Sequence, residues 1–155
     1  MEPLKPPRLK AGDLIGIISP ASRIMDPTRI QKGIAYLERL GYRTIQGEHI
    51  LKTYGYLAGT DEERVSDLHR MFANPEVKAI MCIRGGYGTP RLLSKVDYRL
   101  IARNPKIFVG YSDITSLQLA LWKKCGLVTF QGPMVGVDLP EQLDSYTEEL
   151  FWRLL

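Results

Sequence analysis

The stretch Ile107-Phe108-Val109-Gly110-Tyr111-Ser112-Asp113-Ile114-Thr115-Ser116-Leu117 decides how this sequence is read. Three apolar residues, two of them β-branched, end at a glycine, and a helical pattern from Ile114 to about Lys124 begins four residues later. A short buried strand that turns directly into a helix is half of a βαβ unit. Gly126 closes that helix, as a residue able to adopt positive φ does at a C-terminus. Leu127 to Phe130 is expected as a further strand, ended by Gly132-Pro133.

The alternation extends upstream. Leu14 to Ile18 is an apolar run ended by Ser19-Pro20 and reads as a buried strand. Asp26-Pro27 then opens a helix carrying Ile30, Ile34, Leu37 and Leu40, with Gly41 as its stop. Tyr42 to Ile45 is a second strand, and residues 47–59 a loop. Thr60 with Glu63 spells a capping box for a helix from Asp61 to Ala73, whose apolar stripe is Val65, Leu68 and Phe72. Lys78 to Ile83 is a third strand, followed by one or two short helices between Pro90 and Arg103. Strands alternating with helices predict an α/β fold, an open and mostly parallel sheet with helices on both faces. Residues 1–138 are expected to form this domain. Residues 139–155 are expected as a helix with Leu143, Tyr146, Leu150 and Leu154 on one face, leading to a further, C-terminal domain.

A chain of 155 residues suits one domain, or one and a stub of another. Its 45% hydrophobic and 25% charged residues are ordinary for a globular protein and exclude disordered or repetitive classes. The net charge of +4 favours anionic ligands weakly and does not mark a nucleic-acid partner. Arg91, Lys95, Arg99 and Arg103 recur every four residues, which reads as a solvated helix face. Cys82 and Cys125 form no C-x-x-C pair and no disulfide framework. The N-terminus has no apolar signal region, and no run approaches the length of a membrane span. A cytoplasmic protein without a membrane partner is expected.

In an open parallel sheet, ligands sit beyond the carboxyl ends of the strands. Three loops leave those ends with unusual residues: Ser19-Pro20-Ala21-Ser22, Arg84-Gly85-Gly86-Tyr87-Gly88 and Gly110-Tyr111-Ser112-Asp113. A serine on a tight strand-to-helix turn can be a nucleophile, with the next backbone N–H facing an oxyanion. Ile114 stands where the second glycine of G-x-S-x-G belongs. The other reading is that Ser112 or Asp113 caps the helix. Three glycines in four positions let the backbone approach a bound group. Arg84 can hold a carboxylate in a two-pronged contact, or serve a structural salt bridge. The loop is neither a Walker loop nor a dinucleotide fingerprint. Of the two histidines, His69 belongs to a helix and His49 reads as a surface loop residue. Neither has metal-ligand spacing, so no metal is expected, and a base for Ser112 is expected outside this chain.

Together, Gly12-Asp13-Leu14-Ile15-Gly16-Ile17, Tyr56-Leu57-Ala58-Gly59-Thr60-Asp61-Glu62-Glu63-Arg64, the Arg84–Gly88 loop, Asn104-Pro105-Lys106 and Gly110-Tyr111-Ser112-Asp113-Ile114-Thr115 resemble the LD-carboxypeptidase family of serine peptidases. That family includes muramoyltetrapeptide carboxypeptidases and microcin C self-immunity peptidases. The resemblance implies a flavodoxin-like or class I glutamine amidotransferase-like sheet. It implies Ser112 as nucleophile and the backbone N–H groups of Asp113 and Gly86 as oxyanion hole. Arg84, Gly85 and Tyr87 are the expected substrate-binding residues. It further implies a Glu and a His from a C-terminal domain, no cofactor, a homodimer, and a murein tetrapeptide as the small peptide substrate, cleaved to release D-alanine. Gln131 departs from the His expected before Gly132-Pro133. A non-catalytic anion-binding module and a peptidase of peptidyl-nucleotides are the alternatives.

Overall fold

The computed structural model describes residues 2–155. Leu14–Ile18 (β1) is buried along its whole length and lies centrally, paired in parallel with Arg43–Gln46 (β2) on one side and Val77–Cys82 (β3) on the other. Ile107–Val109 (β4) adds to β3, giving the parallel order β2-β1-β3-β4. β2 forms an edge and is mostly exposed, and its Arg43, Thr44 and Gln46 suit an edge that must not recruit another strand.

Side chains of the central strands alternate between two cores, as the period of two requires. Leu14, Ile18, Ile80, Cys82 and Phe108 face helices Asp61–Ala73 (α2), Tyr98–Arg103 (α3) and Ile114–Cys125 (α4), which contribute Leu68, Phe72, Ile101, Leu117 and Leu121. Ile15, Ile17, Ala79, Met81, Ile107 and Val109 face Thr28–Arg39 (α1) and Ser145–Leu154 (α5), which contribute Ile30, Ile34, Leu37 and Phe151. Helices on both faces of a parallel sheet are the expected architecture. α2 spans the residues predicted for it, and both halves of the Thr60–Glu63 capping box are formed. Gly126 caps α4 at φ 71°.

Two expectations are corrected at the C-terminal side. Residues 127–130 make no ladder strand. Leu127 bridges only Leu4, and Phe130 bridges only Val109 at the sheet edge. The segment divides its backbone bonds between two partners: Val128 N–H donates to the Leu4 carbonyl at 2.9 Å, and only Phe130 bonds to the β4 side, its N–H donating to the Phe108 carbonyl at 2.9 Å. The last helix starts at Ser145 rather than Leu139, on the Asp144 cap. Its buried residue is Phe151, with Leu155 buried just beyond it, whereas Tyr146, Leu150 and Leu154 are exposed. Trp152 explains this register. Its ring stacks on Tyr42 and its Nε1 donates to the Tyr36 hydroxyl at 2.8 Å, which turns the opposite face of α5 outward. No helix among the described residues is long and apolar enough to cross a membrane.

α1 leaves β1 toward one face and the segment after β3 leaves toward the other. The switch in strand order thus falls between β1 and β3, and the loops after these two strands meet beyond their carboxyl ends, where Ser22 N–H donates to the Gly85 carbonyl.

Candidate active site

Ser112 stands on the turn from β4 to α4 with φ 61°, and no other described non-glycine residue has positive φ. Its side chain is exposed. Such a conformation costs an L-residue roughly 1–2 kcal/mol and lifts the hydroxyl clear of the turn. The capping alternative does not hold, because neither Ser112 nor Asp113 caps α4 through its side chain.

The Asp113 carboxylate instead reaches sideways. Its Oδ2 accepts from both the backbone N–H and the hydroxyl of Thr89, each at 2.9 Å, and the Thr89 hydroxyl also contacts Ser116 Oγ at 2.6 Å. Thr89 is wholly buried. The elbow is thus tied to the residue that follows the glycine-rich loop.

That loop crosses directly beside Ser112. A Cβ placed on Gly85 would lie 3.0 Å from Ser112 Cβ, 3.2 Å from its Oγ and 3.3 Å from the Asp113 nitrogen. Gly86 faces Ser22 instead. Ser22 N–H donates to the Gly85 carbonyl at 3.2 Å. Ser22 Oγ accepts from Tyr87 N–H at 3.0 Å and donates to the Tyr87 carbonyl at 3.3 Å. The two ends of a trans peptide point in opposite directions. Holding the Gly85 carbonyl on Ser22 therefore turns the Gly86 N–H away from Ser22. Neither Gly86 N–H nor Asp113 N–H donates to an acceptor among the described residues.

Arg84 makes no ion pair among the described residues. Its Nη1 donates to the Arg23 carbonyl at 3.3 Å, and its Nε is buried without a partner. It borders two small clefts, one with Ser22, Arg23 and Tyr56 and one with Asp26, Arg29 and Val137. Tyr87 is exposed and pairs with Tyr56 at the rim, ring centroids 5.9 Å apart.

The histidines are occupied elsewhere. His49 is partly buried rather than a free surface residue, and its Nδ1 lies 3.0 Å from the buried Asp67 carboxylate, which also accepts the His49 N–H. His69 Nε2 accepts from Asp97 N–H at 2.8 Å, and burial pulls its pKa down. Neither histidine is bonded to Ser112.

Ser22, Thr89 and Arg64 were not singled out as individual site residues from the sequence. Arg64 carried a usable signal, since it stands four residues before Leu68 and eight before Phe72, in register with the apolar stripe of α2. A charge in that register must find partners inside the protein.

Comparison with known proteins gives a consistent picture. Residues 15–132 match the model of the LD-carboxypeptidase N-terminal domain. The chain is 47% identical over 135 residues to the probable murein peptide carboxypeptidase of Bacillus subtilis, covering 87% of this chain and 42% of that protein. The muramoyltetrapeptide carboxypeptidase structure from Oxalobacter formigenes superposes with a TM-score of 0.81 at 36% identity, over 89% of this chain and 46% of that one. The microcin C7 self-immunity protein MccF, in complex with aspartyl sulfamoyl adenosine, superposes with a TM-score of 0.94 at 34% identity, over 99% of this chain and 47% of that one. The chain thus spans less than half the length of each of these three relatives.

Proposed function

The chain belongs to the LD-carboxypeptidase family, and from that premise we propose that it is the nucleophile-bearing part of a serine peptidase that removes the terminal D-alanine of murein tetrapeptides. One observation carries the reading: an exposed serine held at φ 61° with Gly85 packed against it. Ser112 Oγ attacks the carbonyl of the bond between the L-centre and D-alanine, and an acyl-enzyme forms as the D-alanine amine leaves. Water then releases the shortened peptide. Asp113 N–H and Gly86 N–H face the oxyanion of the tetrahedral intermediate, a stabilisation of roughly 3 kcal/mol per donor. Arg84, which lacks a carboxylate partner among the described residues, receives the substrate carboxylate, and Gly85 and Tyr87 line its path.

The base that takes the Ser112 proton comes from the C-terminal half present in the longer relatives, as the His of a Ser-His-Glu triad. Support comes from the engagement of His49 and His69 at other contacts. The enzyme works in the cytoplasm, without cofactor, as a homodimer.

The test compares this chain alone with the same chain joined to the C-terminal half of the Bacillus subtilis relative, called the joined protein below. D-Alanine release by the joined protein, abolished by Ser112→Ala, supports the reading. Ser112-dependent turnover by the chain alone overturns the assignment of the base, and a joined protein that folds yet releases no D-alanine overturns the peptidase. The likeness to a self-immunity protein bound to an aspartyl sulfamoyl nucleoside favours a second reading, cleavage of a peptidyl-nucleotide. Faster turnover of such a conjugate than of the tetrapeptide selects it.

A further inference from the structure

Arg64 is a charge placed where α2 otherwise buries apolar side chains, and its own side chain is wholly buried. Its Nη1 donates to the Pro20 carbonyl at 2.6 Å and to the Gly88 carbonyl at 2.9 Å. Its Nη2 pairs with Asp61, which also receives Arg91 Nε at 2.9 Å. Its Nε has no partner. One shared carboxylate and one idle donor are poor compensation for burying a guanidinium. An apolar side chain of similar volume is often as stable or more so in such a place. Stability alone therefore does not account for this residue.

Its two acceptors do. Pro20 belongs to the loop after β1, which also carries Ser22. Gly88 ends the glycine-rich loop. The peptide between Gly88 and Thr89 is gripped at both ends, its carbonyl by the Arg64 guanidinium and its N–H by the Asp113 carboxylate. Asp113 is the residue after Ser112. Gly88 is shaped to admit the contact, since a Cβ there would lie 2.8 Å from Arg64 Nη1 and its φ is 136°. A lysine offers one compact ammonium, whereas the guanidinium fork serves two loops and Asp61 together.

We propose that Arg64 is a positioning residue for the Ser112 chemistry, setting the glycine-rich loop and the α4 elbow relative to each other through the Gly88–Thr89 peptide. The assignment rests on the proposed peptidase reading for its catalytic consequence, and on hydrogen bonds alone for its hold on the loop.

The test uses Arg64→Met and Arg64→Lys, with two readouts. In the joined protein, Arg64→Met is expected to lower kcat on the tetrapeptide about 100-fold, the usual scale for a misplacement near 1 Å, with KM changed less than about threefold. Arg64→Lys falls between it and the parent. In the 155-residue chain, amide hydrogen exchange at Tyr87 and Thr89, both hydrogen-bonded in the parent, is expected to rise at least about tenfold in Arg64→Met while amides of β1 and β3 hold. Unchanged exchange at Tyr87 and Thr89 in a folded variant overturns the proposal. So does a uniform rise through β1, β3 and the loop, because it marks a merely structural role. Should Arg64→Met not fold, Arg64→Lys answers the same question. Selective exchange in a protein that cleaves no tetrapeptide leaves the hold on the loop standing and removes the peptidase reading.

Discussion

Gly85 and Ser112 share one small volume: the space where a Gly85 side chain would begin is bounded by Ser112 Cβ and Oγ and by the Asp113 nitrogen, at 3.0 to 3.3 Å. Gly85 is not among the residues with positive φ, so alanine there strains no backbone dihedral and acts as a steric probe alone. Gly85→Ala is expected to fold, with its melting midpoint close to the parent's. Its added methyl displaces either the hydroxyl or the loop by a few tenths of an ångström. Turnover by the joined protein should fall between about tenfold and 100-fold. Parent-level turnover in a folded Gly85→Ala protein contradicts the contact.

Ser112 stores strain that the fold can do without. An L-residue at φ 61° costs roughly 1–2 kcal/mol, and glycine relieves it, less some entropy from its freer unfolded state. Ser112→Ala removes the hydroxyl and keeps the Cβ. Ser112→Gly removes both. The glycine variant should therefore melt above the alanine variant by about 2–4 °C, the shift that 1 kcal/mol produces in a chain of this size. Both should be inactive when joined to the C-terminal half. A glycine variant that melts no higher shows that the elbow is unstrained.

How much of this was legible depended on how local each cause is. α2 could be read to its end residues because the Thr60–Glu63 box and Asn74-Pro75 lie within its own sequence. β4 was equally plain between Pro105 and Gly110. The register of α5 was not. Phe151-Trp152 and Leu154-Leu155 allow two stripes, and the Tyr36 partner that selects one lies 116 residues away. The residues 127–130 had strand composition, but their pairing is split between Leu4, more than 120 residues away, and the end of β4, which is a tertiary event. At the site, Ser112 and the glycine-rich loop were each visible as motifs. The contact of Gly85 rather than Gly86 with Ser112 depends on Ser22, 65 residues from the Tyr87 it grips.

Thr89 offers the most direct way to loosen the elbow without touching a reacting group. Thr89→Val keeps shape and volume but removes the hydroxyl that meets Asp113 Oδ2 and Ser116 Oγ. The partly buried Asp113 carboxylate loses one of its two Thr89 donors, which is expected to cost about 1–3 kcal/mol in urea unfolding. Thr89→Ser retains the hydroxyl and should recover most of that loss. Equal destabilisation by valine and serine assigns the effect to packing and removes the clamp from the account.

The docking of α5 is expected to respond to pH. Tyr36 OH donates to Glu148 at 2.6 Å and accepts from Trp152 Nε1 at 2.8 Å. Burial, with Glu148 adding to it, pushes the phenol from its ordinary 10.0 up to about 12. Between those values the unfolded chain has released a proton that the folded chain still holds. Stability therefore falls as pH rises through this window, and the full Tyr36 contribution is present below pH 10. Tyr42, Tyr98 and Tyr111 are raised by burial too and act with the same sign, so the parent must be compared with Tyr36→Phe. At pH 7 the variant should be less stable by about 1 kcal/mol, because Trp152 loses its acceptor and Glu148 its donor. From pH 10 to 12 the parent's midpoint should fall more steeply, so that the two melting curves converge. Curves that stay parallel across that window show that Tyr36 titrates alike in both states, and the buried hydroxyl then has no part in holding α5 on α1.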